Sequence, residues 1–405
     1  MKKYLFLTTL AFLSIKNIAQ VKILFDNTKA ESAGNADWVV DADIRNLYFT
    51  NTGSITLTGT ESNAQRFQTP SQAGISGTTA ETYWAGALSA WAVDLVNAGY
   101  VIESLPYNVP ITYGNIGNPQ DLSNYKVYIV CEPNLVYTSA EKTAIINFVK
   151  NGGGLFMVSD HDISDRNNDG WDSPHIWNDL MQNNLVQNNP FGITFDYVNI
   201  SPTSTAVVTN LNDSLTHGPG GTVTQVKWSN GTTMSLNSSQ NSSVKGDVFT
   251  AAPATGTANV LVAHANFFQG KVAAIGDSSP CDDGSGDPND VLYNGYFADA
   301  GGNHQKLLIN TVIWLAGSTG TLTSNKENFL NNSPVVIYPN PAFNFLNVIA
   351  KEPVKSIEIY SSLGQKINHD INNSQIDISN LNAGCYTIKI YTEKAFFYKI
   401  FIKSN

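Results

Sequence analysis

The stretch TSAEKTAIINFVKNGGGLFMVSDH, residues 138–161, decides the fold. Ser139 can cap a helix, Glu141 and Lys142 follow early in it, and Gly152, Gly153 and Gly154 stop it. The apolar run GLFMV then predicts a buried strand that ends on Asp160 and His161. Helix, tight turn and buried strand in that order are the repeating unit of a mainly parallel α/β sheet.

The same texture extends on both sides. VKILFD, YVIESLP, KVYIVCEP, NVLVAHANF and KVAAIGDSS read as strands. Residues 84–98, WAGALSAWAVDLVNA, and 303–317, NHQKLLINTVIWLAG, read as helices, the second with Leu307, Leu308, Val312, Ile313 and Leu315 facing inward. Trp84 and Trp91 are assigned to the core. Residues 196–257, rich in Thr, Ser, Asn and Gly, are expected to form β-rich loops or an inserted hairpin region. Alternation of strand and helix implies right-handed crossovers and helices on both sheet faces, a three-layer domain over residues 21–317.

The ends of the chain differ from this body. Residues 1–20, with two lysines and a short apolar core, have the layout of a signal peptide, too short in their apolar part to span a bilayer. Residues 318–334 have linker composition, and 335–405 change to strands and tight turns, as in a small antiparallel sandwich. Charged residues make up 14% of the 405, and the net charge of −10 excludes a broad basic face for nucleic acid. No other segment has the apolar length of a transmembrane helix. Three cysteines are too few for a disulfide scaffold. Cys131 and Cys281 both follow strands and could pair, leaving Cys385 single.

Two resemblances add to this reading. YPNP (338–341), IEIYSSLGQKI (357–367), LNAGCYTIKI (381–390) and the last strand FFYKIFIK resemble the type A C-terminal sorting domain of type IX secretion in Bacteroidetes. That resemblance implies a secreted or surface-attached protein handled by the type IX machinery. Residues 21–317, including FVKNGGGLFMVSDH, resemble class I glutamine amidotransferase-like domains, especially the ThuA-like branch. The resemblance implies a flavodoxin- or amidotransferase-like three-layer sheet. Where amidotransferases carry a nucleophilic cysteine on a glycine-flanked elbow, this chain carries Asp160 and His161, so their chemistry is not expected here. No G-x-S-x-G elbow occurs either.

In an open parallel sheet, ligands bind beyond the carboxyl ends of the strands. Those ends carry Asp26 and Asn27; Cys131, Glu132 and Asn134; Asp160 and His161; His264 and Asn266; and Asp277, Ser278 and Ser279. Asp160, His161, Asp277, Glu31 and Asp26 are the catalytic candidates, because carboxylate- or metal-assisted water attack needs such groups to converge. Asn27, Trp38, Glu132, Asn134, His264 and Ser278 are the substrate-binding candidates. Trp38 offers either a stacking surface for a sugar or a core residue.

The loop DISDRNNDGWDS, 162–173, places Asp165, Asn167 and Asp169 at alternate positions before Gly170, as a calcium loop does. The EF-hand's closing glutamate is replaced by Ile176, leaving Asp172 or Asp179 to complete the shell. A turn closed by Asx hydrogen bonds and an Arg166 ion pair is the alternative. A second acidic loop runs from Asp277 through SPCDDGSGDPND (279–290). It offers Asp282 and Asp283, with Asp287 and Asp290, as ligands of calcium or another divalent cation or as acceptors for substrate. The expectation is a secreted, cation-dependent hydrolase of an extracellular polymer, a glycan first of all. The alternatives are a calcium-stabilised surface glycan-binding protein without catalysis and an amidotransferase-like scaffold for protein contacts.

Overall fold

In a computed structural model of the chain, residues 138–158 fold as the sequence predicts, with one shift at the cap. Thr138, not Ser139, closes the helix: its hydroxyl accepts from Glu141 N–H, and the Glu141 carboxylate accepts from Thr138 N–H at 2.8 Å. Glycine is required at the turn because a Cβ on Gly153 would lie 2.3 Å from the Phe148 ring. The structure describes residues 20–42, 47–49, 55–57, 71–287, 290–299, 301–317 and, in the tail, 335–338, 342, 344–350, 353–361, 365–367, 371–372, 375–393 and 396–403. The expected signal peptide, save Gln20, and the linker lie outside these residues.

The chain divides into two units, residues 1–325 and 326–405. In the first, the strands are β1 (Lys22–Asp26), β2 (Val101–Leu105), β3 (Val127–Cys131), β4 (Gly154–Val158), β5 (Ile193–Phe195), β6 (Ala206–Val207), β7 (Met234–Leu236), β8 (Lys245–Phe249), β9 (Val260–Phe267) and β10 (Gly270–Ile275). They form one ten-stranded sheet, ordered β2-β1-β3-β4-β10-β9-β7-β5, with β8 paired to β9 and β6 to β8. The five strands from β2 to β10 are parallel to their neighbours; those beyond β10 are antiparallel. Sequence order reverses between β1 and β3, the place where an open α/β sheet opens a crevice.

Helices α1 (Ser89–Asn97), α2 (Ser139–Lys150), α3 (Ser173–Gln182) and α4 (Asn303–Ala316) cover the sheet. Alternate residues of each strand point to opposite faces. Leu24, Tyr128, Val130, Leu155 and Met157 join the core built with Ile145, Phe148 and Trp177 of α2 and α3. On the other face Trp91 of α1 packs edge-on between Phe25 and Phe156, with ring centroids at 5.3 and 5.5 Å. Leu307, Leu308, Val312, Ile313 and Leu315 of α4 are buried as expected. The first helix starts at Ser89 and not at Trp84, because Gly86 lies against the Val39 carbonyl and Ser89 Oγ receives the Trp84 N–H. Sequence reading missed α3, although Asp172 at its N-cap and Pro174 in its first turn announce it.

The second unit is antiparallel throughout its two sheets. Strands β11 (Val335–Tyr338), β12 (Phe345–Ala350), β13 (Val354–Ser361), β14 (Lys366–Ile367), β15 (Ile371–Asn372), β16 (Gln375–Asp377), β17 (Gly384–Thr392) and β18 (Phe396–Lys403) form sheets ordered β11-β12-β16-β15 and β14-β13-β17-β18. Ile337, Leu346, Val348, Ile359, Ile376, Ile388, Ile390 and Phe401 make its core.

Trp91 has no exposed surface and links both sides of the β1–β4 face. Trp91→Ala is expected to cost about 3–5 kcal/mol in urea unfolding of the α/β unit, and Trp91→Phe much less. Equal, small losses would remove that packing role.

Candidate functional site

The parallel strands deliver their polar termini to one edge. Glu132, directly after β3, turns the chain with a left-handed φ of 58°, a conformation unusual for a residue with a Cβ. Its carboxylate is fully buried and multiply held. Trp38 Nε1 and Ser278 Oγ donate to Oε2 at 2.7 and 2.8 Å, and Arg166 donates to Oε1 from Nε at 2.8 Å and from Nη2. Arg166 also binds Asn35 Oδ1. One carboxylate thus joins the loops after β1, β3, β4 and β10.

Asp160 and Asp277 flank this anchor. Val158 is level with Ile275 across β4 and β10, and Ser159 N–H donates to the Ile275 carbonyl at 2.9 Å, so both aspartates leave the sheet side by side. Burial raises the proton affinity of Asp160 well above the carboxylate range, and the charges of Glu132 and Asp277 add to this while Arg166 opposes it. Asp277 is pushed up to about 7 by burial, against backbone N–H groups of Ser279 and Ser229 that favour its charged form, with Glu132 raising it further. His161 Nε2 lies 3.8 Å from Asp160 Oδ2, while its Nδ1 is within 2.7 Å of the Asp162 carbonyl. Asp160, His161 and Asp277 therefore come together around Glu132. The resemblance located an elbow at Asp160 and His161; among the described strand ends of the parallel sheet, the left-handed residue is Glu132.

Asp26 and Glu31 form a second cluster. Tyr128 donates to Asp26 Oδ1 at 2.5 Å, and Lys29 N–H donates to Glu31 Oε2 at 3.0 Å. Burial, first, and then the charge of Asp26 raise the proton affinity of Glu31 well above the usual range, and burial raises that of Asp26.

The substrate-binding candidates take other roles. Trp38 is 2% exposed and spends its indole N–H on Glu132, which corrects the stacking-platform reading. Glu132 and Ser278 are anchor residues with their polar atoms engaged. Asn134 donates to the Glu132 carbonyl at 3.1 Å, and Asn27 accepts from Ser32 Oγ at 3.0 Å; both are buried. His264 is not at the site edge. It sits inside β9, which runs antiparallel to β10 and carries its carboxyl end to the opposite side of the sheet. There His264 Nδ1 pairs with Asp247 at 2.8 Å and the ring packs on Trp314.

Most of the expected loop ligands are engaged by the chain itself. Asp165 accepts from the N–H groups of Asp169 and Gly170, and Asp169 from Trp171 N–H and Asn167 Nδ2. Asp172 caps α3, receiving His175 and Ile163 N–H, and pairs with His175 Nδ1 at 2.6 Å. Asp179 is paired with Lys142 at 2.6 Å. In the second loop Asp282 receives Gly284 and Tyr293 N–H, while Asp283 receives Ala90 and Ser285 N–H. These carboxylates brace turns. Cys131 and Cys281 are buried, unbridged neighbours, and burial pushes the Cys131 thiol up.

A cavity of about 560 Å³ adjoins the Asp277 side of the cluster, lined by Gln225, Ser229, Ser279, Tyr293, Asn303 and His304 among others. Ser229 and Ser279 are the residues whose N–H groups hold Asp277. The Tyr293 hydroxyl feels Asp160, Glu132 and Asp277 after burial, and all raise it. Sequence reading missed Tyr293, Asn303 and His304, because only the folded chain returns them to this edge.

Breaking the buried Arg166–Glu132 pair with Arg166→Met is expected to cost about 3–5 kcal/mol in chemical unfolding, by leaving the anchor charge uncompensated; a cost under about 1 kcal/mol would show the anchor is not ionised. Asp277, raised from 3.8 to about 7, binds its proton more tightly folded than unfolded. Its stabilisation is complete below pH ~4 and is lost as pH rises through about 7. Stability measured across that window should fall less steeply in Asp277→Asn than in the parent; parallel curves would contradict the assignment.

No curated protein matches the chain. Among solved structures it is similar to the mmIFT52 N-terminal domain, at 15% identity and a TM-score of 0.37, covering 56% of this chain and 89% of that one. It is also similar to Cytoplasmic Protein STM3548 from Salmonella typhimurium, at 13% identity and a TM-score of 0.35, covering 73% and 99%. No helix among the described residues is long and apolar enough to cross a membrane. Residues 336–404 match the secretion system C-terminal sorting domain, which directs the chain through type IX secretion to the cell surface or the extracellular space.

Proposed function

We propose that the α/β unit is an extracellular hydrolase of a polymer, a glycan in the first instance, with Asp160 and Asp277 as its proton-transfer pair. The observation that carries this reading is the convergence of two carboxyl groups, both raised in proton affinity, at the ends of adjacent parallel strands beside a fixed anion, Glu132. One carboxyl holding a proton at neutral pH can give it to a leaving oxygen, and the other, as carboxylate, can take one from the attacking water. His161, beside Asp160, would polarise the reacting group. The neighbouring cavity mixes hydroxyl and amide groups with one cation, Lys227, and one anion, Asp299, a lining that supports a hydroxyl-rich polar ligand.

The strand order β2-β1-β3-β4-β10 and the glycine turn before β4 support a flavodoxin-type, amidotransferase-like descent for this unit. Such descent speaks for the scaffold and not for the reaction. The export address supports an extracellular substrate, and the charge of −10 favours a neutral or cationic polymer over a polyanion.

A binding-only protein is the second reading, favoured by one observation: Asp160 and Asp277 are 5% and 0% exposed. Incubating the secreted protein with a panel of neutral polysaccharides separates the two. Under the hydrolase reading new reducing ends form, and Asp160→Asn and Asp277→Asn each lower kcat/KM at least ~100-fold with binding retained. Retention of a polysaccharide without product by the parent protein would favour the binding-only reading, and product undiminished in both variants would remove the pair from catalysis.

A further inference from the structure

One carboxylate remains unaccounted for by the braces and anchors above. Asp37, on the loop after β1, is 2% exposed, and neither of its oxygens meets a hydrogen-bond donor. A buried carboxylate left in that state is costly. It is also aimed at other carboxylates: oxygens of Asp37, Asp287 and Asp290 all lie within 4.8 Å of one another. The space they face is kept open by Gly286. A Cβ there would sit 3.1 Å from Asp37 Oδ2 and 3.2 Å from Asp290 Oδ2.

We infer that Asp37, Asp287 and Asp290 form a calcium site that clamps the loop after β10 to the loop after β1. The donor set is all oxygen, which selects a hard cation over zinc or copper. Three carboxylates on two irregular loops suit Ca²⁺, which accepts flexible oxygen geometry at about 2.3–2.6 Å, whereas Mg²⁺ at about 2.0–2.1 Å demands a near-ideal octahedron and keeps several waters. The surrounding chain is already in register for the ion. Asp290 Oδ2 receives Asp287 N–H at 2.8 Å, and Val291 N–H donates to the Asn35 carbonyl at 2.9 Å, two residues before Asp37. This site lies outside the Asp160–Asp277 cluster and does not rest on the hydrolase reading. Of the ligands expected in the second acidic loop it keeps Asp287 and Asp290, and it takes Asp37 in place of Asp282 and Asp283. Its effect reaches Tyr293, three residues past Asp290, and Trp38, which follows Asp37 and holds Glu132.

The test is calorimetric titration of the metal-stripped full chain with Ca²⁺, alongside thermal melts in Ca²⁺ and in EDTA. The parent is expected to bind one Ca²⁺ at this site and to melt several degrees higher in Ca²⁺ than in EDTA. Asp37→Asn should weaken binding at least ~10-fold and shrink that difference. In EDTA it should melt at or above the parent, because it removes a buried charge that only the ion relieves. Asp290→Asn, at a half-buried position, should weaken binding in the same way and keeps the question answerable if Asp37→Asn fails to fold. A parent that binds no Ca²⁺, or variants that bind it as the parent does, would overturn the site.

Discussion

The α/β unit turns on one buried anion. Glu132 stands at a left-handed corner where β3 leaves the sheet, and its carboxylate is satisfied by Trp38, Ser278 and Arg166, each from a different loop. A charge so enclosed is tolerable only because every partner is in place, and each partner is fixed by the same demand. The strained corner fits this arrangement, since backbone strain persists where surrounding contacts over-determine it. The loops at the switch point are thereby tied into one body without a disulfide among the described residues.

That anion also sets the chemistry around it. Asp160 and Asp277 do not ionise easily when buried beside a carboxylate paired with a single guanidinium. Burial is the largest cause for both; the Glu132 charge comes second for Asp160, and for Asp277 it follows the hydrogen bonds from Ser279 and Ser229 that favour the charged form. The same physics recurs at Asp26 with Glu31, and at Asp37, where burial and the surrounding aspartates raise the group well above its usual range. In the first cluster the charge of Arg166 opposes the rise, in the second that of Lys29. Asp37 has no such donor, which is why its cluster asks for an ion.

Much of this was legible in residues. The helix over 139–150 and the strand over 154–158 followed from a cap, glycines and apolar runs, and the polar ends of β3, β4 and β10 pointed to the edge where Glu132, Asp160 and Asp277 meet. Direction was not legible: NVLVAHANF is equally apolar whichever way the strand runs, and its antiparallel course takes His264 away from the site. Nor could spacing separate ligands from braces. The D-x-N-x-D-G pattern serves turn geometry here, with backbone N–H groups on both oxygens of Asp165 and a backbone N–H and the Asn167 amide on those of Asp169. Asp37 gave no signal because its partners lie far along the chain. The small tail was the most legible part, since several motifs in fixed order carry a sorting domain's pattern.

Burial beside the Glu132–Arg166 ion pair raises the proton affinity of Asp160 and Asp277 above the ordinary carboxylate range. Carbon-13 NMR of aspartate side-chain carboxyls, titrated through pH ~4–8 in the parent protein and in Asp160→Asn, Asp277→Asn and Glu132→Gln, measures this directly. Two aspartate signals are expected to titrate above the usual range, each assigned by its loss in one variant, and both to move downward in Glu132→Gln. Ordinary titration of both aspartates near pH ~4 in the parent would contradict it.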